Sequence, residues 1–277
     1  MSTWILSPLV NRAAPAAISS VILQPRNSYP SLVGILSSIS YSELGIAISI
    51  LLLNHLLLER LILRKYISVY LISCIGLMCG AKSFGFLSKL LGTYASIGTW
   101  EWKDSFWNSG IVYLGGLIGY LSMLRILCCF KKRNWNEISN ITAIIIPLFH
   151  VFGRIGCFFG GCCYGAESNS WLAIPYQIVV ENGQWVNRIP VQLMESEAEL
   201  FFFALCYCWY RKKRKGGKEC DNQILVWYLL LYSIWRFIIE FWRGDDVRGV
   251  FGWISFSQII CIGITFGIFT YKRRKEK

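Results

Sequence analysis

Charge is what this 277-residue sequence has little of: Asp, Glu, Lys and Arg together make up 16% of it, against about a quarter in soluble globular domains. Histidine is scarcer, with His55 and His150 alone, so chemistry built on several histidines has little to draw on. No C-x-x-C pair occurs among the 11 cysteines, and most of them fall inside apolar runs, where a thiol is ordinarily a small packing group. No internal repeat is visible, which weighs against the repeat-built transporter folds. Residues 1 to 30 carry Arg12, Pro15, Pro25, Arg26 and Pro30 without the compact apolar segment of a cleavable signal peptide. The composition also excludes disorder, collagen and coiled coil.

What the sequence has is apolar length. It is 55% hydrophobic, with 12 Trp, 14 Tyr and 17 Phe, a proportion that suits bilayer interfaces and large apolar packing surfaces. Apolar runs near the 20 residues needed to cross a bilayer fall at about 37 to 58, 67 to 91, 109 to 130, 138 to 159, 193 to 210, 224 to 243 and 253 to 271. The expected fold is all-α: a seven-helix transmembrane domain over 37–277 preceded by an external arm, 1–36.

The net charge of +12 does not point to nucleic acid, because of where the charges sit. Arg60, Arg64 and Lys65, Lys131 to Arg133, the run from Arg211 to Lys218, and the C-terminal run from Lys272 to Lys277 hold seventeen of the 28 basic residues, all after odd-numbered spans. Lys103, Arg188 and Arg248 follow even-numbered ones, and Arg12 and Arg26 lie in the arm. By the positive-inside bias the N-terminus faces outward and the C-terminus inward.

Six basic residues are left inside or beside the spans, and of these Arg154 and Arg236 lie deepest. A guanidinium at mid-membrane costs about 2.5 to 3.5 kcal/mol on insertion scales, so something must offset it. Tyr232, Arg236, Glu240 and Arg243 are spaced by four, four and three and form one polar helical stripe. The bland account is an Arg236–Glu240 pair neutralising itself; the functional one is a track for a lipid headgroup, with Arg243 nearest the surface. Residues 153 to 165 hold five glycines, a density that predicts a broken helix and a cavity whose freed amides bind an anion beside Arg154; the alternative is small-residue helix packing. Pro190 opens the next span, in which Gln192, Glu195 and Glu199 share a face.

In order along the chain, W-N-S-G-I-V-Y-L-G-G-L-I-G (107 to 119), G-R-I-G-x8-G (153 to 165), P-x-Q-L-x-E (190 to 195), Y-x3-R-x3-E-F-x-R (232 to 243) and S-Q-I (257 to 259) resemble the prolipoprotein diacylglyceryl transferase family from about residue 105 onward. C-G-A-K-S-F-G (79 to 85) is similar to the family's G-G-R-x-G, with Lys82 in place of arginine. The resemblance implies transfer of a diacylglyceryl group from phosphatidylglycerol to the lipobox cysteine of a prolipoprotein signal peptide, leaving a thioether and releasing glycerol phosphate. It implies catalytic roles for Arg154, Arg236, Tyr232 and Glu240, and substrate contacts from Gly115, Gly116, Gly153, Gly156, Gly165, Gln192, Glu195 and Arg243. No cofactor, metal or nucleic acid is expected. The expected setting is a multi-pass monomer in the bacterial cytoplasmic membrane, among membrane lipid.

The chain departs from the family pattern at Leu114 and Ile189, which replace histidines, at Met194, which replaces a tyrosine, and at Cys157, Gly160 and Cys162, which replace two asparagines and a glutamate. The base that deprotonates the substrate thiol is therefore unassigned. His150 takes over that place or is simply bonded within the bundle. Cys157, Cys162 and Cys163 are expected to pack inertly. The competing classes are a thiol-redox protein using those cysteines, a metal site formed by them with His150, and a non-catalytic lipid or anion transporter.

Overall fold

A segment inside a bilayer must satisfy its backbone hydrogen bonds internally, and a helix does so within a single segment. The computed structural model describes residues 63–98, 100, 102–107, 109–176, 186–215, 222–244, 250–251 and 253–275. The span expected at 37 to 58, the arm 1–36, Arg60 and Arg248 lie outside the described residues. Within them run α1 (Leu63–Ile97), the short α2 (Trp102–Trp107), α3 (Tyr113–Phe130), α4 (Trp135–Gly160), α5 (Val191–Lys215), α6 (Gln223–Ile239) with a 3-10 turn (Glu240–Trp242), and α7 (Phe256–Lys275). All but α2 coincide with expected spans. Four of them, α1, α3, α4 and α6, are long and apolar enough to cross a membrane. Two antiparallel strand pairs complete the described residues: β1 (Ile174–Tyr176) with β2 (Val186–Arg188), Ile174 opposite Arg188, and β3 (Val250–Phe251) with β4 (Ile254–Ser255).

The helices bury one apolar set and expose another. Leu117, Leu124, Ile138, Ile141, Ile144 and Tyr228 pack in the interior, while Phe130 (82% exposed), Phe266 (69%), Leu71 and Phe201 point outward. Large apolar side chains exposed on this scale suit contact with lipid rather than water. The helix ends sort by charge. Lys131 Nζ donates to Ser68 Oγ at 3.1 Å, Lys213 Nζ to Gln223 Oε1 at 3.0 Å, and Lys272 sits 3.9 Å over the Trp227 ring. The start of α1, the ends of α3, α5 and α7, and the start of α6 thus share one basic end of the bundle.

Two helix pairs hold it together differently. Where α1 crosses α3 the chains meet through glycine: a Cβ on Gly80 would overlap the Gly115 carbonyl oxygen, and one on Gly76 would come 2.6 Å from the Gly119 oxygen. This is small-residue packing, which lets backbones approach without side chains between them. Gly115 and Gly116 lie in this seam, against Phe84 and Ala81. By contrast α4 packs on α5 through polar groups, with Ser196 Oγ donating to the Val151 carbonyl at 3.2 Å.

The glycine-dense segment does not break α4 where its composition predicts. The helix runs unbroken through Gly153 and Gly156 to Gly160, and ends at Gly161, whose φ of 64° closes it in the left-handed conformation. Packing against α5 sustains helix through the two earlier glycines, and the irregular backbone is displaced to the end of the bundle.

Candidate active site

Helical phase puts Arg154 on the face of α4 toward α5, Arg236 on the face of α6 toward the same helix, and Glu195 between them. Arg154 is 6% exposed, Arg236 5% and Glu195 1%. Arg154 Nε lies 2.9 Å from Glu195 Oε2 and its Nη2 donates to Oε1 at 3.2 Å; Arg236 Nη1 lies 3.6 Å from that same Oε1 and forms an ion pair with Glu240 Oε2 at 2.6 Å. One carboxylate from α5 therefore serves arginines from two other helices. This is what offsets the burial of two guanidiniums. The bland i,i+4 pair is present and is only part of the account.

The chain of ionisable groups continues through His150. Arg154 Nε donates to His150 Nε2 at 3.0 Å, which makes that nitrogen the acceptor, so the ring proton sits on Nδ1, 2.8 Å from Glu199 Oε1. Tyr228 donates to the other Glu199 oxygen at 3.3 Å. The imidazole stacks on Tyr113 with ring centroids 3.7 Å apart, and Tyr232 stands edge-on to both rings. With both nitrogens engaged, His150 is bonded within the bundle. The Tyr232 hydroxyl is buried without a hydrogen-bond partner among the described residues, and such a group is costly unless a ligand completes it.

Beyond this cluster, at the end of the bundle opposite the basic one, three strands of chain knit a mouth. Gly165 N donates to the Ile189 carbonyl at 3.1 Å, Ala166 N to Trp242 at 2.8 Å, and Gly244 N to Tyr164 at 3.1 Å. A Cβ on Gly165 would overlap the Ile189 oxygen, so only glycine fits. Gln192, one turn before Glu195, donates Nε2 to the Cys162 carbonyl at 2.7 Å. Arg243, expected nearest the surface, is buried: α6 ends at Ile239, the 3-10 turn follows, and extended backbone at 243 bridges to Gly165 beneath the loop.

The thiols of Cys157, Cys162 and Cys163 also gather here, all three Sγ atoms within 4.8 Å of one another and none in a disulfide. Hydrogen bonds from the other two thiols, then the guanidiniums of Arg154 and Arg243, lower the pKa of Cys163 from its ordinary value.

Of the residues singled out from sequence, Arg154, Arg236, Tyr232, Glu240 and Glu195 come together, and Gln192, Gly165 and Arg243 join them at the mouth. Gly156 is buried on α4, and Gly153 faces open space, with nothing within 4 Å of a would-be Cβ. Gly115 and Gly116 lie in the α1–α3 seam. Sequence reasoning missed Tyr228, Tyr113 and Arg188. Tyr228 was findable, since it extends the 232–236–240 stripe by one more step of four. Arg188 was tallied as a loop charge but is buried, pairing with Glu167 at 2.7 Å and lying 4.6 Å over the Tyr164 ring. Nothing in the sequence signals that Tyr113 stacks on His150.

The family model for prolipoprotein diacylglyceryl transferase matches residues 39–272. A phosphatidylglycerol–prolipoprotein diacylglyceryl transferase 2 of Clostridium perfringens is 36% identical over 173 residues, covering 61% of this chain and 64% of that protein. The transferase of Clostridium tetani is 32% identical over 172 residues (59% of this chain, 64% of that protein), and that of Campylobacter hominis 32% over 200 (68% and 67%). The chain thus spans 64% of the length of the two clostridial relatives. With apolar helices sized to cross a membrane and relatives in bacteria, it is a bacterial membrane protein. The matched region takes in the arginine cluster, the glycine turn after α4 and the mouth, and the chain belongs to the prolipoprotein diacylglyceryl transferase family.

Proposed function

We propose that this protein transfers the diacylglyceryl group of phosphatidylglycerol to the lipobox cysteine thiol of a prolipoprotein, forming a thioether and releasing glycerol phosphate. The observation that carries this reading is the pair of buried arginines from α4 and α6 sharing one carboxylate of α5. A guanidinium presents five N–H donors in a fork that matches two phosphate oxygens, and two such forks suit a phosphodiester. Glu195 occupies the position between them as a placeholder: an arriving lipid phosphate takes its contacts with Arg154 and Arg236. Glu240 keeps Arg236 in place meanwhile, and the Glu199–His150 pair keeps Arg154 in place.

The chemistry is nucleophilic displacement at the glyceryl carbon with glycerol phosphate leaving. The charge that develops on the leaving oxygen falls beside two preorganised cations in a water-poor site, where such donors act most strongly. The orphaned Tyr232 hydroxyl is placed to donate to the same group. His150, with both nitrogens committed, acts as a positioning residue for Arg154 rather than as the base. Phosphatidylglycerol and a prolipoprotein signal peptide are the substrates, the working unit is a monomer, and nucleic acid has no part.

The gathering of basic helix ends at one side of the bundle supports a seven-span chain in the cytoplasmic membrane, N-terminus outside and basic end inside. The site then opens toward the outer leaflet. An accessibility map that placed residues 211–218 outside the cell would reverse this. The activity is tested by complementing a bacterium depleted of its own diacylglyceryl transferase: growth with lipidated prolipoprotein is expected. A purified protein that binds phosphatidylglycerol without modifying a lipobox peptide would instead be a lipid carrier.

A further inference from the structure

The reaction above leaves the thiolate-forming group unassigned, and it leaves Cys157, Cys162 and Cys163 unused. These cysteines straddle the end of α4. Gly161 (φ 64°) and Cys163 (φ 58°) turn the chain back so that all three sulfurs lie within 4.8 Å of one another. A left-handed backbone is unfavourable for cysteine, and among the described residues the only other non-glycine case is Lys132. The turn is tied to α5 by the Gln192–Cys162 hydrogen bond, one helical turn from Glu195.

Three convergent sulfurs are ligands for a thiophilic ion. Metal–sulfur bonds of about 2.3 Å in a tetrahedral site set the sulfurs about 3.8 Å apart, so no pair needs to close by more than about 1 Å. His150 does not supply a fourth ligand, because Glu199 and Arg154 hold its two nitrogens. Three protein ligands with one position open is the arrangement of catalytic rather than structural zinc. Cys162 is exposed, so an ion and a substrate both have access. Arg154, three residues before Cys157 on α4, and Arg243, bridged to Gly165 two residues after Cys163, bring positive charge toward three thiolates on a divalent ion.

We propose that Cys157, Cys162 and Cys163 bind an ion of the zinc class through three thiolates, and that its open fourth position receives the sulfur of the lipobox cysteine. The second half rests on the diacylglyceryl-transfer reading; the first half does not. The incoming thiol ionises as it coordinates, since a metal-bound thiol is deprotonated outright, and its proton passes to water at the mouth. The sulfur's electron pair forms the C–S bond to the glyceryl carbon as the C–O bond to phosphate breaks. Glycerol phosphate leaves with that bond's electrons, and the thioether, a weaker ligand, dissociates.

The test uses the full chain in detergent with a phosphine reductant, stripped of metal and titrated with Co²⁺. One equivalent is expected per chain, with near-ultraviolet thiolate-to-cobalt absorption that Zn²⁺ displaces. Cys157→Ser and Cys163→Ser should each weaken uptake at least tenfold, and the triple serine variant should abolish it. Cys128→Ser, remote on α3, should bind as the wild type does. Absence of that absorption at micromolar Co²⁺ in the wild type, or equal uptake by a folded triple variant, overturns the site. A lipobox peptide should then shift the cobalt spectrum while its cysteine-to-serine counterpart does not; no shift with the thiol peptide overturns the role of the fourth position. Undiminished transfer by the metal-stripped wild type would sink the second half and leave the transferase reading standing, whereas ion and peptide binding with no transfer would sink the transferase reading and leave the ion site standing.

Discussion

The α1–α3 pair and the α4–α5–α6 trio belong to one bundle, yet they are joined by opposite means. In the first, glycines at 76, 80, 115 and 119 bring backbone onto backbone. In the second, a chain of Glu199, His150, Arg154, Glu195, Arg236 and Glu240 crosses three helices through ion pairs and hydrogen bonds. Small-residue packing is sufficient to associate helices in lipid. Buried ion pairs seldom add net stability over apolar packing, because desolvation takes back most of the attraction. The trio therefore carries groups that stability does not require, and the difference separates the scaffold from the site.

That separation is broken most directly at the arginines. Arg154→Ala and Arg236→Ala should each lower kcat/KM by about a hundredfold or more, the scale of losing one preorganised charge-stabilising donor. Arg→Lys at either position should recover little, since an ammonium lacks the two-pronged fork. Both are measured with purified protein, phosphatidylglycerol and a lipobox peptide. A rate like the wild type's in Arg236→Ala would remove the site from this trio.

In the seam the effect should fall on folding. Gly80→Leu puts a side chain where the Gly115 carbonyl already stands, and overpacking of this kind costs about 1–3 kcal/mol or more. A lower melting temperature and poorer folded yield are expected, with the surviving folded protein still binding phosphatidylglycerol. Normal melting with lost lipid binding would give the seam a place in the site after all. Glu199→Gln should have a smaller effect on rate. It keeps an acceptor for the His150 Nδ1–H but loses the charge that orients the imidazole, and through it Arg154, so a loss of about tenfold, mostly in kcat, is expected.

Much of this was legible because charge inside an apolar run is conspicuous. Arg154 and Arg236 stand out by cost alone, and helical spacing places Tyr232 and Glu240 with Arg236, and Gln192, Glu195 and Glu199 together on one face of α5. Periodicity stops at the edge of each helix, however. It does not say that Glu195 bridges two other helices, or that Tyr113 from α3 stacks on His150 from α4, because those depend on how helices cross. Arg243 was misplaced for a related reason: a stripe extrapolated at helical spacing ran past the point where α6 tightens and straightens. The glycine pairs in the seam and in α4 look alike in sequence, and only their neighbours in space distinguish them.

Gly153 gives the finest test of that last distinction. A Cβ there would meet nothing within 4 Å, as would one on Gly267 of α7, whereas one on Gly165 would collide with backbone. If Gly153 faces only lipid tails or solvent, Gly153→Ala should relieve the helix of a glycine worth roughly 0.5–1 kcal/mol, leaving transfer unchanged and melting equal or slightly higher, as for Gly267→Ala. The family resemblance assigns Gly153 to substrate contact, and then the empty space beside it is filled by lipid or peptide during turnover. In that case Gly153→Ala should raise KM while Gly267→Ala does not, with both variants melting alike. Comparing the two alanine variants in KM and in melting thus decides whether this face of α4 belongs to the scaffold or to the site.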